Sequence, residues 1–349
     1  PAARVVLVRA PAGFGKTTVM LQLRQRFKAQ GLKSSWLTVD EADNDVGRFL
    51  SFLSAALETI GVSAAMAPTD DAMGLALGIL DCIASHEVPF VLFLDDLETL
   101  HNPAVFSFIA QVVEQLPPGA QLVLGSRQVP AIGLGKLRAR GRLVEVEPVE
   151  LRFSMAEASS FLLEQRGLKL APEQVGQLLG STEGWAAALW LASLALERRE
   201  DTAQFIAGFS GSNAAVAQYL AEDVFAKQPE TIRRFLLDTC VLDGLSPALC
   251  DALRDASDSA AVLSRLEEAN LFLIPLDGGS YRYHSLFAEF LRAQLARLDP
   301  ARTAVLHQAA ARWYLDEGRA IPALRHALAS QDRAVAVPLL LREAPGLME

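Results

Sequence analysis

Lysine and arginine are in the minority in this chain, 32 against 41 aspartates and glutamates. The net charge of -9 argues against a segment that wraps nucleic acid through a basic face. Cysteine is scarce too. Cys82, Cys240 and Cys250 lie far apart with no C-x-x-C, which suits buried thiols in a reducing cytoplasm and not a disulfide frame. The histidines show no ligand spacing with them, so no structural zinc is expected. No apolar run approaches the roughly 20 residues of a membrane span, and the first run, residues 5–8, is too short for a signal peptide. Pro1 standing where an initiator Met would be is read as a fragment or a processed chain. What remains is a soluble composition, 51% hydrophobic and 21% charged over 349 residues, long enough for two or three domains.

The densest information lies in residues 10–18, Ala-Pro-Ala-Gly-Phe-Gly-Lys-Thr-Thr, between the apolar run 5–8 and a helical pattern that continues to about Ala29. A strand, a glycine-rich turn and a helix opening on Lys-Thr make a phosphate cradle. Gly13 and Gly15 let successive backbone N–H groups converge on one anion, and the helix adds the positive end of its dipole. Lys16 is placed to reach the β and γ phosphates, and the Thr17 hydroxyl to take a Mg²⁺ position. The expected ATP/ADP-binding set is therefore Gly13, Phe14, Gly15, Lys16, Thr17 and Thr18. The first glycine of the G-x-x-x-x-G-K-[ST] pattern is Ala10 here, at a position that contributes only backbone.

Beyond the loop, apolar periodicity alternates. Strands are expected at 35–39, 90–94, 121–125 and 143–146, and helices at 48–60, 72–85 and 103–116. Continuous apolar runs in place of apolar-polar alternation imply a parallel sheet covered on both faces, an α/β P-loop NTPase of the ASCE type over residues 1–150. After Pro148 the pattern is helical. Ser154 and Glu157 form a capping box, Pro172 opens a helix, and residues 184–196 form another, giving a small helical domain at 151–208. Residues 208–213 read as a Gly/Ser/Asn linker. Helices followed by a hairpin signal at 271–284, with Asp-Gly-Gly-Ser at the turn, suggest a winged-helix domain over 214–298. Paired helices at 307–317, 321–330 and 333–341 make 299–349 a helical arm that begins a superhelical repeat.

Residues 91–96, Val-Leu-Phe-Leu-Asp-Asp, end a buried strand in two carboxylates on the sheet edge where α/β ligands gather. Asp95 is expected to hold Mg²⁺ through water, and Asp96 to polarise the attacking water, with Lys16 completing the catalytic set. Many hydrolytic relatives carry Glu where Asp96 stands, and the shorter side chain points to slow turnover. Arg127 ends another core strand on the same edge, where a guanidinium can sense the γ phosphate; a surface arginine is the competing reading. Taken alone, His284 is one histidine after a strand and reads as structural. Trp185 and Trp190 read as helix packing.

The segments Ala10–Thr18, Leu37–Asn44, Leu94–Leu97, Leu124–Arg127 and Leu151–Ser154, with Gly184–Leu189 and Arg282–Phe287, together resemble the signal-transducing ATPases with numerous domains (STAND), specifically the MalT-type ATP-binding regulators of the LuxR class. The resemblance implies a cytoplasmic switch. ADP holds a closed monomer, ATP and an inducer favour an open self-associating form, and slow hydrolysis resets it. The inducer would enter through a C-terminal sensor, DNA through a C-terminal helix-turn-helix, and no membrane is involved. The same resemblance makes His284 a contact of the ADP β phosphate. Ala186 stands where the family has proline, so the Gly184 segment is assigned no such contact. The alternatives are an AAA+-like mechanical ATPase, for which Arg138, Arg140 and Arg142 are the nearby arginine cluster, and a signalling scaffold with a non-DNA effector.

Overall fold

The computed structural model describes residues 3–62, 72–197, 201–331 and 333–343. Expectations that reach residues 1, 2 and 344–349 lie outside the described residues. The chain divides into two compact units, Pro1–Arg152 and Phe153–Glu349.

The first unit is a five-stranded sheet with helices between the strands. In chain order it runs β1 (Val5–Arg9), α1 (Lys16–Ala29), β2 (Lys33–Thr38), α2 (Val46–Glu58), α3 (Ala72–Ser85), β3 (Phe90–Asp95), α4 (Pro103–Gln115), β4 (Gln121–Ser126), α5 (Leu134–Ala139) and β5 (Leu143–Val146). All pairings are parallel and the spatial order is β2-β3-β4-β1-β5. Insertion of β4 between the loop strand β1 and the carboxylate strand β3 is the ASCE arrangement. Every residue of β3 is buried, because helices cover the sheet and leave its central strand no solvated face. Phe93 stacks on Trp36 at 5.1 Å between ring centroids, while Leu92 and Leu94 join the cluster formed by Phe49, Leu53 and Ile109. Each such side chain contributes on the order of 1.5–3 kcal/mol by leaving water. The consequence for function is geometric: Arg9, Asp95 and Ser126 finish three adjacent strands on one edge.

The second unit is helical apart from one hairpin. It comprises α6 (Met155–Ser159), α7 (Pro172–Thr182), α8 (Ala186–Leu196), α9 (Thr202–Ala207), α10 (Ala214–Tyr219), α11 (Glu230–Thr239), α12 (Pro247–Arg254), α13 (Ser259–Glu268), β6 (Leu273–Leu276), β7 (Ser280–Tyr283), α14 (Ser285–Leu298), α15 (Pro300–Asp316), α16 (Ala320–Ala329) and α17 (Arg333–Glu343). The Ser154–Glu157 capping box is present, and the helix it opens passes at Ser160 into a π-helical turn through Gln165. Three helices, α11 to α13, precede the antiparallel β6–β7 hairpin, and a single bridge pairs Leu245 with Tyr281 beside it. That order is a winged helix. Gly278 and Gly279 take φ of 75° and 72° at its tip, a conformation that glycine adopts without a Cβ penalty.

Two sequence readings need correction. Residues 208–213 are not a free spacer: a Cβ on Gly211 would stand 1.9 Å from the Leu286 carbonyl oxygen, and its N–H donates to Glu289 at 2.7 Å. That stretch crosses against α14, and glycine is what permits the approach. The arm helix α15 begins at Pro300, seven residues ahead of the apolar periodicity, because Asp299 caps it by accepting from the Arg302 N–H and proline occupies the first turn.

Candidate functional site

The loop between β1 and α1 is built so that backbone donors face outward at one point. Gly13 and Gly15 hold φ of 74° and 83°, and Gly15 is the N-cap of α1. No side chain caps that helix and no acidic residue occupies its first turn, so the N–H groups there have no side-chain acceptor of their own. Ala10, Ala12 and Phe14 are buried and anchor the loop to the sheet, so Phe14 can offer a ligand only its backbone. Thr17 and Thr18 are exposed on the first turn.

Lys16 is 8% exposed and donates to the carbonyls of Ala10 and Pro11 at 3.0 and 3.3 Å. Burial lowers its pKa, while Glu98, Asp95 and Asp96 act in the opposite direction. The ammonium sits folded over the loop entrance, where burial together with Arg127 outweighs the three carboxylates and leaves its pKa lowered.

Thr17 and Asp95 meet directly: the hydroxyl donates to Asp95 Oδ2 at 2.7 Å, and Asp95 Oδ1 accepts from the Asp96 N–H at 3.0 Å. Asp95 is 1% exposed. Its place is cleared by Gly125 on the neighbouring strand, where a Cβ would fall 2.2 Å from Asp95 Oδ1 and 2.6 Å from Met20 Sδ. A hydroxyl and a carboxylate are hard oxygen donors, and their separation is close to the ~2.9 Å between adjacent ligands of an octahedral Mg²⁺. The pair fits that ion. Among the described residues no group of three or more His, Cys, Asp or Glu forms a protein cage for a metal, so an ion held here would draw its remaining ligands from phosphate and water.

Asp96 occupies the left-handed region, φ 61° and ψ 35°, and its carbonyl accepts from both the N–H and the hydroxyl of Thr99. Burial raises its pKa, as do the neighbouring Asp95 and Glu98, against Lys16 and Arg127. Asn44 clamps the same turn from another loop, donating to the Thr99 carbonyl and accepting from the His101 and Asn102 N–H groups. The 37–44 segment thus has a structural role, which is to hold the acidic turn in place.

Glu98, which sequence reasoning passed over, is the partner of Arg127. Arg127 Nε lies 2.7 Å from one carboxylate oxygen, and the Arg127 N–H donates to the other at 3.0 Å. The only sequence signal was its place two residues beyond Asp96 in the same turn. The structure thus gathers Lys16, Thr17, Asp95, Asp96, Glu98 and Arg127 at one edge of the first unit. Arg138, from the cluster weighed for a motor, has both arms of its fork on Glu145.

His284 belongs to the second unit. It is 1% exposed, its Nε2 lies 3.1 Å from the Thr182 carbonyl oxygen, and its ring meets Trp185 and Phe272 edge to face. Around it the Arg282–Phe287 and Gly184–Leu189 segments interlock. Arg282 binds Glu183 through two parallel hydrogen bonds of 2.9 and 2.8 Å, and Glu183 also accepts from the Ser285 N–H at 2.9 Å. Burial raises the Glu183 pKa, but the Arg282 hydrogen bonds, the charge of His284 and the Ser285 N–H outweigh it and leave the value at about 2. Glu183 adopts φ of 48° to make this junction. The interlock joins the α7–α8 corner to the winged helix.

Residues 221–303 match the MalT winged helix domain family. The chain is 32% identical over 356 aligned residues to the serine/threonine-protein kinase PknK of Mycobacterium tuberculosis, covering 99% of this chain and 32% of that one. It is 30% identical to the HTH-type transcriptional regulator MalT of Klebsiella pneumoniae, covering 99% of this chain and 39% of that one. It spans about a third of the length of these relatives. The solved Aeropyrum pernix ORC2 protein, in its ADPNP-ADP complexes, superposes with a TM-score of 0.48 at 12% identity, over 84% of this chain and 89% of that one.

Proposed function

We propose that the chain, which matches the MalT winged helix domain family over residues 221–303 and is similar along 99% of its length to a MalT regulator, is an ATP/ADP-dependent switch of the MalT-type STAND kind with slow, resetting hydrolysis. The observation that carries this reading is the 2.7 Å contact of Thr17 with Asp95 at the foot of an uncapped helix whose first residue is Lys16. In the proposed roles, the loop N–H groups and Lys16 hold the phosphates. Thr17 and Asp95 hold Mg²⁺, which when bound offsets phosphate charge. Asp96 orients and deprotonates the attacking water, aided by a pKa that is raised from 3.8.

Arg127 is proposed to report the γ phosphate. Its guanidinium already has a carboxylate partner, so sensing would be an exchange: Arg127 leaves Glu98 for the phosphate, and the Glu98 carboxylate is released. His284 is proposed, from the family resemblance, as a contact of the β phosphate of ADP. With Nε2 on the Thr182 carbonyl, that contact falls to Nδ1, and both nitrogens donate only when the ring is protonated. Inverting a 1:99 population needs about 5.5 kcal/mol of differential affinity, more than one charged contact supplies. A second input, an inducer acting through a C-terminal sensor, is part of the proposal, as is self-association of the ATP form.

The effector has two readings. A MalT-like chain would reach DNA through a C-terminal helix-turn-helix. The match to a protein named as a serine/threonine-protein kinase motivates the second reading, a signalling scaffold with a non-DNA effector. Among the described residues no helix is long and apolar enough to cross a membrane.

Calorimetry with ATP and Mg²⁺ tests the central claim. Lys16→Ala is expected to abolish binding, and Thr17→Ala to remove its Mg²⁺ dependence. Unchanged ATP affinity in Lys16→Ala overturns the phosphate-loop assignment. Light scattering then compares ADP with ATP in wild type and His284→Ala; a variant that keeps its ADP affinity and stays monomeric discards the proposed β-phosphate contact.

A further inference from the structure

Between the winged helix and the arm helices α15 and α16, the second unit encloses a cavity of about 400 Å³. It shares no residue with the phosphate loop or with the Glu183–Arg282 junction. One wall is apolar, formed by Leu245, Trp313 and Tyr314, with the two rings edge to face at 5.1 Å between centroids. The other wall is charged, formed by Asp243, Arg319 and Arg325. Its volume lies in the range of small-molecule sites, ~300–1,000 Å³, and the mix of an apolar body with a few polar groups is the composition such sites share.

The charges do not balance locally. Asp243 accepts from Arg325 at 2.7 Å and from Arg292 at 3.4 Å, so one carboxylate serves two guanidiniums. Arg319 lies over the face of Tyr314 at 5.1 Å and has no ion-pair partner among the described residues. Among the residues that line the cavity two arginines thus stand against one aspartate, which Arg292 from outside the cavity also engages, in a chain whose net charge is -9. The floor adds no charge at neutral pH. His326 is 5% exposed with its Nδ1 at 2.8 Å from His307 Nδ1, and burial together with the neighbouring His307 holds its pKa at about 4.

A planar guanidinium fork pairs with carboxylate or phosphate. Asp243 at the same mouth opposes a dianion more than a monoanion, which favours the carboxylate. We propose that this cavity is a second ligand site, for a small carboxylic acid with a planar apolar body, its carboxylate on Arg319 and Arg325 and its body against Trp313 and Tyr314. Because Asp243 and Leu245 belong to the winged helix and Trp313 to Arg325 belong to the arm, an occupant bridges both. It would hold the arm against the winged helix and so act on the arm's position without touching the phosphate loop.

The test is fluorine-detected titration of the whole chain with trifluoromethyl-benzoate and its uncharged amide, extended to the corresponding phenylacetate and phenylpropionate pairs. Saturable binding of at least one acid is expected, with affinity at least tenfold weaker in the Arg319→Gln/Arg325→Gln variant and with no binding of the matching amide. Both arginines are exposed, so the variant is expected to fold, with circular dichroism and ATP calorimetry unchanged. A Trp313→Ala variant supplies the second arm and should weaken the acid without altering ATP binding. Equal affinity in the arginine variant, equal binding of acid and amide, or no saturation by any of the three acids up to about 10 mM overturns the proposal.

Discussion

The Thr17 hydroxyl and the Asp95 carboxylate are joined at 2.7 Å, so the first turn of α1 and the end of β3 meet at a single hydrogen bond. The bond depends on a third residue. Gly125, next to Asp95 on β4, is the position where any side chain would occupy the carboxylate's space.

Gly125→Ala is therefore expected to move Asp95 off Thr17. A Cβ 2.2 Å from Oδ1 cannot be absorbed without displacing the carboxylate or separating the strands. Overpacking of this kind costs about 1–3 kcal/mol, and Mg²⁺-dependent ATP binding should weaken more than Mg²⁺-independent binding. Urea unfolding and calorimetry with and without Mg²⁺ check both parts; a variant with wild-type Mg²⁺ dependence contradicts the role given to Asp95.

Asp96 carries two expectations that pull apart stability and turnover. Its folded pKa is raised above 3.8, so the native state holds that proton more tightly than the unfolded chain and wild-type stability falls as pH rises through this window. Asp96→Asn removes the titration and tolerates the left-handed backbone. The variant should match the wild type in acid, exceed it in stability at pH 7, and retain ATP while hydrolysing it at least ten times more slowly. Phosphate release at the wild-type rate would take Asp96 out of the chemistry.

How much of this could be read from the chain alone depended on sequence distance. The loop from Ala10 to Thr18 and the six residues of β3 are local patterns, and their physics is visible in consecutive residues: glycines where φ must be positive, apolar side chains where both faces are covered. Arg127 was legible as a strand-end cation, but its partner Glu98 lies 29 residues away and becomes its neighbour only because β3 and β4 are adjacent. Gly125 looked like an ordinary strand residue until the carboxylate beside it was placed. The hydrogen bonds between Arg282 and Glu183 span 99 residues, and no local pattern announces them. His284 shows the limit most sharply, since the resemblance supplied a phosphate contact while the structure places its Nε2 on the Thr182 carbonyl of its own unit.

Glu183 predicts an acid-sensitive junction. Its folded pKa of about 2 lies below the ordinary 4.5, so its stabilisation is fully present above 4.5 and is lost as pH falls toward 2. Glu183→Gln leaves Arg282 without its carboxylate and should cost about 2 kcal/mol near neutrality. That is less than the 3–5 kcal/mol typical of breaking a fully buried pair, because the Arg282 side chain is 34% exposed. The difference between wild type and variant in urea unfolding should shrink as pH drops below 4.5; a constant difference down to pH 3 contradicts the assignment.

The His307–His326 contact predicts a second pH dependence, of opposite origin and in a milder range. A hydrogen bond between two imidazole nitrogens needs one donor and one acceptor, so protonating the accepting ring destroys it. Burial lowers both pKa values, that of His326 to about 4, with Arg292 and Arg325 acting in the same direction and Asp243 opposing. Because the unfolded chain takes up protons near 6.5 and the folded one does not, stability is full above 6.5 and declines as pH falls toward about 4. Tyr314, stacked on His326 at 5.6 Å, and Trp313 beside it should register the loosening of α15 from α16. His326→Leu removes the titrating pair, and its thermal midpoint should change less than that of the wild type between pH 7 and pH 5. Parallel curves for the two proteins over that interval would mean that the paired imidazoles do not govern how the arm helices pack.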